Sequence, residues 1–261
     1  MGFLHEISML LSYIQLMASR FDSALNVCAL NKYTNIGSMY FDLNVQEKSL
    51  DCLIELLQKN QFDEGTNLDA LEKACSYLSV RINEIFSSLM LITFILKNVY
   101  KNHLNDELFD NCLLVNDLVK FCNSSCELIS IEIQRLQSLT KFKDSNDSCE
   151  ILMLFKEIFN LNEEVKVSIK KLNRFIPNDE KKQLLFDHTM ISKIDELIKH
   201  IYKLAKFLHL MSAESVSALS IFPNENSKDE GLPSKKLEDL AYQVCDKVFL
   251  NDDSGPYENI R

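Results

Sequence analysis

Five stretches of this chain repeat apolar residues at alternating steps of three and four, and that spacing allows little besides long helices. Leu4, Ile7, Leu11, Ile14, Ala18, Phe21, Leu25 and Cys28 form the first seam. Leu71, Cys75, Leu78, Ile82, Ile85, Leu89, Ile92, Leu96 and Val99 form a second, and Val115, Val119, Cys122, Cys126, Ile129, Ile133 and Leu136 a third. Two more cover roughly 148–175 (Ile151, Phe155, Ile158, Leu161, Val165, Leu172, Phe175) and 189–212 (Met190, Ile194, Leu197, Ile201, Leu204, Leu208, Met211). Steps of this kind pack neighbouring helices at a shallow angle, as in bundles. The scarcity of turn formers agrees. Five glycines and four prolines in 261 residues leave few tight turns for a sheet-rich fold. The expected class is all-α: a bundle of long antiparallel helices, or two stacked sub-bundles.

End signals divide the chain further. Asn44-Val-Gln-Glu47 has the form of a capping box, as does Asp147 to Glu150. Asn67 is placed to cap the third helix and Ser234 a last short one, while Pro177 and Gly255-Pro256 end helical patterns. Leu89 to Ile92 and Phe94 to Leu96 spread past a narrow stripe, which favours a helix buried on two sides over a two-stranded coiled coil. The expected organisation is an N-terminal bundle over 1–143 and a C-terminal bundle over 144–250. A mobile loop is expected at 221–234, and 251–261 stands apart as a boundary segment.

Charge and motifs exclude several functions. The net charge is −10 and the pI about 5.1, the reverse of a nucleic-acid footprint and unfavourable for anionic membranes. The uncharged apolar run at residues 85–96 is too short to span a bilayer. The N-terminus lacks the basic region of a signal peptide, and Glu6 departs from the myristoylation pattern after Gly2. A cytoplasmic protein with reduced thiols is expected. No phosphate loop, dinucleotide fingerprint, nucleophile elbow or zincin motif occurs, and the E-x-x-H pairs of a di-iron bundle are missing. Cys122 and Cys126 share a helix face, but lie on the apolar seam and read as buried thiols. His200 and His209 read as surface or boundary histidines. No catalytic, cofactor-binding or metal-ligating residue is assigned.

One charge feature stands out. Residues 166–206 hold ten Lys or Arg against five Asp or Glu, inside an acidic chain. Lys166, Lys170 and Arg174 fall at i, i+4 and i+8 on one face, and Lys199, Lys203 and Lys206 line another. Such a stripe is either a solvated face or a docking stripe for an acidic helix. Segment 214–261, with ten acidic residues against five basic, could answer it within the molecule or across a dimer.

Residues 37–64, "GSMYFDLNVQEKSLDCLIELLQKNQFDE", carry no chemistry, yet they are distinctive. The run Gly37-Ser38-x-Tyr40, Glu47-x-Ser49-Leu50-Asp51, Leu53-Ile54-Glu55-Leu56-Leu57 and Asp63-Glu64 resembles the signature of the dynactin family, the large Glued subunits of the activator of cytoplasmic dynein. Glu132-x-x-Arg135-Leu136 and the closing Ser254-Gly-Pro-Tyr-Glu-Asn-Ile-Arg261 resemble further family patterns in the same order. The middle, 85–200, is divergent. The resemblance implies the helical intercoiled domain between two long coiled coils: a non-catalytic scaffold of a cytoskeleton-associated transport complex. It also implies dynein and dynactin subunits, cargo adaptors or the family's own coiled coils as partners, and a homodimer through those coils. No nucleic acid, direct membrane contact or cofactor is implied. Glu47, Asp51 and Glu55, at i, i+4 and i+8, are the expected exposed partner face beside the Lys166, Lys170, Arg174 stripe. The alternative is an all-α ligand-binding or enzymatic bundle with a site in its core.

Overall fold

The computed structural model describes residues 2–26, 37, 39–63, 65–81, 112–140, 146–177, 188–220 and 231–250. The later part of the expected two-sided helix (82–99), most of the expected mobile loop and the boundary segment 251–261 lie outside them. Among the described residues every regular element is helical, as the seams require. The helices are α1 (Gly2–Asn26), α2 (Tyr40–Gln58), α3 (residues 69–81), α4 (Cys112–Leu139), α5 (Asn146–Phe175), α6 (His188–Ser220) and α7 (Ser234–Cys245). A π-helical turn, Asp246–Leu250, follows α7 directly.

The chain falls into two compact units. One comprises residues 3–121 and 172–193, the other Gly2, 122–171 and 194–261. Helices α4, α5 and α6 therefore each contribute residues to both.

In the first unit, Leu10, Tyr13, Leu16 and Met17 of α1 are buried, as are Leu71, Ala74 and Cys75 of α3. The rings of Tyr13 and Phe121 lie 5.3 Å apart. Asp117 of α4 is almost wholly buried, and its carboxylate accepts from Gln15 Nε2 at 3.0 Å, Ser19 Oγ at 2.5 Å and Lys120 Nζ at 3.0 Å. Those donors offset the cost of burying the charge. The buried face of α1 differs from the expected seam. Leu4 and Leu11 are 68% and 48% exposed, and the inward residues Leu10, Tyr13, Met17 and Arg20 lie one position back. They too step by three, four and three; the difference is a rotation of the helix by one residue. The seam drawn through Leu11, Ile14, Ala18 and Phe21 passed over Tyr13 and Arg20.

The link from α2 to α3 is built from local hydrogen bonds. Asn60, at φ 53°, adopts the left-handed conformation that ends α2. Asn60 N–H donates to Leu57 O at 3.1 Å and Gln61 N–H to Leu56 O at 2.9 Å, the paired bonds of a Schellman cap. Asp63 Oδ1 then accepts from Gly65 N–H at 3.0 Å, a side-chain turn. Asn67 Oδ1 accepts from Asp69 N–H at 2.6 Å and caps α3, as its position in the sequence predicts. Three other caps differ from expectation: α5 begins at Asn146, so Asp147 lies inside it. Helix α2 starts at Tyr40, with Met39 before it, so Asn44 lies inside the helix. Pro233, not Ser234, precedes α7.

The second unit is organised by α4. Its expected seam is buried throughout: Cys122, Cys126, Ile129, Ile133 and Leu136 are each at most 2% exposed. Leu128, Ser125, Ser130 and Glu132 are buried as well, so burial spreads well beyond one stripe. In α5 the buried residues Phe155, Asn162 and Ile169 recur every seven, while Leu161 of the expected seam is 54% exposed and Phe175 78%. Asn162 explains the rotation. Its Nδ2 donates to Cys126 O and to Ser130 Oγ, both at 2.9 Å, so an inward amide takes the place expected of Leu161. In α6, Ile201, Leu208 and Met211 are buried as expected, with Ile198 and Ala205 in place of Leu197 and Leu204. Leu237 and Val244 of α7 are buried, and Leu232 N–H donates to Leu139 O at 2.9 Å. The last residues of the expected mobile loop are thereby fastened to the end of α4.

Candidate protein-docking surface

The most concentrated buried chemistry lies on α4 and α6. Glu132 has no exposed surface, and its Oε1 lies 2.9 Å from His209 Nδ1. Arg135 Nη1 approaches Oε2 at 3.8 Å, too long for a hydrogen bond, and Oε2 has no hydrogen-bond partner. Gly2 closes over this carboxylate: a Cβ there would stand 3.1 Å from Oε1. His209 is thus a paired histidine and not an ordinary boundary residue. The sequence hint was Glu132 beside Ile133 on an apolar seam, a charge where none is tolerated without a partner. Glu132-x-x-Arg135-Leu136, read as a resemblance, is in the structure a buried acid, its helix-mate cation and a fully buried leucine.

The thiols on the same helix are held in their neutral form. Burial, with the neighbouring Cys126 adding to it, pushes Cys122 up to about 12. Burial likewise pushes Cys126 up to about 11, against a lowering by Lys166. Thiolate is the form that attacks and ligates, so both are inert at neutral pH. Among the described residues no group of three or more His, Cys, Asp or Glu side chains is placed to hold a metal ion. No helix among them is long and apolar enough to cross a membrane.

The basic stripe divides on inspection. Lys166 is only 22% exposed; its Nζ donates to Ser130 Oγ at 2.8 Å and pairs with Glu163 at 2.6 Å. Its charge serves the junction of α5 with α4. Lys170 and Arg174 are exposed. Across α6, Lys199 is exposed, Lys203 and Lys206 are half-buried, and Lys203 Nζ stands 5.7 Å from the ring centre of Phe249 in the π-helical turn. His200 is exposed, its Nδ1 2.7 Å from Glu196 O.

Helix α2 is the reverse of α4. Leucine, glutamate, lysine and glutamine favour the helix, yet Leu53 is the one buried residue within it. Asp42 anchors it to α3: Tyr77 Oη donates to its carboxylate at 3.4 Å, and Arg81 Nη2 forms a long ion pair with it at 3.9 Å. Burial holds the Tyr77 hydroxyl above its ordinary pKa, partly offset by the Arg81 guanidinium. Tyr40, Phe41 and Val45 are 61%, 77% and 59% exposed, and Ile54 and Leu57 are 49% and 53% exposed. Glu47, Asp51 and Glu55 are all exposed on the side away from Leu53. Glu55 pairs with Lys59 at 3.0 Å, an exposed contact of small energetic worth. The distinctive stretch 37–64 is therefore largely surface. Gly37, which opens it, has nothing within 4 Å of a built Cβ, so no close approach demands a glycine there.

Comparison with known proteins supplies a family for these helices. A family described as dynactin, dynein associated protein, matches residues 1–176. The chain is similar to dynactin subunit 1 of Xenopus laevis, 26% identical over 251 residues, covering 96% of this chain and 19% of that protein. It is similar to the Gallus gallus subunit at 27% identity over 170 residues, covering 65% of this chain and 12% of the relative. The Drosophila melanogaster subunit is 23% identical over 240 residues, covering 91% and 17% respectively. The chain thus spans about a fifth or less of the length of these relatives. With the family's match extending over residues 1–176 of 261, the chain belongs to the dynactin family.

Proposed function

We propose that this chain is a non-catalytic interaction domain of a dynactin-type large subunit, and that it supports dynein-driven transport along microtubules through protein–protein contacts. The observation that carries this reading is the match of residues 1–176 to a dynein-associated family. The exposed apolar and charged residues of α2, and Lys170 and Arg174 of α5, support it as surfaces for helical partners. Its partners are dynein and dynactin subunits, cargo adaptors or a coiled coil of its own full-length chain, in the cytoplasm on the microtubule cytoskeleton. In that longer chain it acts as part of a homodimer joined by flanking coiled coils.

Affinity capture from cell extract, read by mass spectrometry, tests the reading. The bait is the chain itself, beside a variant carrying Lys170→Glu and Arg174→Glu. Enrichment of dynein or dynactin subunits, or of cargo adaptors, is the expected result, and its loss with the variant assigns a contact to the α5 stripe. Retention of no motor or adaptor protein by either bait overturns the reading.

A further inference from the structure

Helix α2 carries a complete three–four seam that its own fold leaves open. Tyr40, Leu43, Glu47, Leu50, Ile54 and Leu57 step by 3, 4, 3, 4 and 3. Leu43 and Leu50 are half-buried, and the other four are exposed. This seam is turned about a quarter of the helix circumference from Leu53, which faces inward. Alternating steps of this kind are the geometry of knobs entering the holes of a second helix, so the shape of the missing occupant is helical.

The charge of the seam narrows the occupant further. Glu47 stands within the apolar row, and Asp51 and Glu55 follow it at i+4 and i+8 on the outer edge. Neighbouring like charges at this spacing weaken an isolated helix. Glu55 is relieved by Lys59 at 3.0 Å, whereas Glu47 and Asp51 form no ion pair among the described residues. An acidic position inside an apolar seam selects a basic position opposite it and fixes register, because an apolar residue there would leave the carboxylate desolvated and unpaired.

We propose that the α2 seam is the docking site for an amphipathic helix of a partner polypeptide that presents leucine-type residues at three–four spacing and Lys or Arg opposite Glu47 and Asp51. The assignment rests on the interaction-domain reading and gives it a surface and a partner chemistry. The apolar residues supply the contact area, and the carboxylates exclude acidic helices and set the register.

Fluorescence anisotropy with the whole chain and a labelled peptide tests the assignment. The probe is a peptide of leucine heptads flanked by lysines; its control is a scrambled peptide of the same composition. The ordered peptide is expected to bind the chain, and the scrambled one to bind at least about ten-fold more weakly. A Glu47→Lys/Asp51→Lys variant and an Ile54→Ser/Leu57→Ser variant are each expected to weaken the ordered peptide by about ten-fold or more. The charge-reversed variant should instead accept the same heptads flanked by glutamates. All the altered side chains are exposed, and unchanged circular dichroism and melting confirm an intact fold. Absence of binding by the ordered peptide, equal binding by the scrambled one, or equal binding by the variants overturns the assignment. Self-association of the chain that Ile54→Ser/Leu57→Ser abolishes overturns it too, by making a second copy the occupant. Success of the extract capture with failure of the peptide removes this surface and leaves the interaction-domain reading standing.

Discussion

Helices α2 and α4 share an apolar repeat and have opposite fates. Over 19 residues α2 buries Leu53 alone, whereas α4 over 28 residues buries its whole seam and much of the flanking stripes. Both obey the same rule of spacing. The difference lies in what surrounds the seam. Helix α4 adds Leu114, Leu118, Phe121 and Leu128 beside it, so more than one face is drained of polar surface. Helix α2 sets Glu47, Asp51 and Glu55 on one side, which keeps that side wet. A seam specifies a helix that wants a partner; the flanking residues decide whether the partner lies inside the same chain.

The sharpest way to break this contrast is truncation. Phe121→Ala should destabilise the chain by about 4 kcal/mol and Leu136→Ala by about 3 kcal/mol, the usual range for emptying a packed core. Leu57→Ala should stay within about 0.5 kcal/mol, since the side chain is already half in water. Urea unfolding followed by circular dichroism measures all three, and equal losses in the two helices would erase the distinction.

Next in size is the buried carboxylate. Glu132→Ala removes the partner of His209 and Arg135 and should cost about 3 kcal/mol, whereas Glu132→Gln, which keeps an acceptor near His209, should cost less. Glu47→Ala on α2 should be neutral within about 0.5 kcal/mol by the same unfolding assay. Asn162→Ala should follow at about 1–2 kcal/mol, from the loss of the donor to Cys126 O and Ser130 Oγ.

Thiol chemistry refines the comparison without large energies. Cys52 of α2 is exposed and should react with a thiol reagent at neutral pH in the native state. Cys122 and Cys126 of α4 are buried and should react only on unfolding, which mass spectrometry of alkylated peptides resolves by position. Their raised folded pKa values have a consequence for stability. The neutral thiol is favoured in the folded chain, so the contribution of Cys122 is fully present below its ordinary value of 9.0 and is lost as pH rises toward about 12. The loss in urea midpoint between about pH 8 and about pH 10.5 should therefore shrink in Cys122→Ala.

Much of the proposed docking surface was legible as exposed residues. The exposure of Glu47, Asp51 and Glu55 follows from their spacing on one helix face, and all three are exposed. Lys166 shows where that reasoning stops. It has the same spacing from Lys170 as Lys170 has from Arg174, yet Ser130, thirty-six positions earlier, takes its amino group. No pattern local to α5 contains Ser130. His209 and Glu132 are likewise seventy-seven positions apart, and neither signals the other along the chain.

By itself, the sequence determined the class of structure and where most helices run. Helical periodicity and the scarcity of Gly and Pro are local properties, and local hydrogen bonding suffices to obey them, as at the Asn67 cap. Tertiary structure decided which stripe of each helix turns inward. A helix with apolar residues on more than one stripe can rotate by about one residue, roughly 100°, and still bury a three–four seam. In α1 the inward stripe carries Tyr13 and Arg20, in α5 it carries Asn162, and in α4 Glu132 is buried against His209. Buried polar groups must find donors and acceptors on other helices, so they fix the rotation that apolar spacing leaves open.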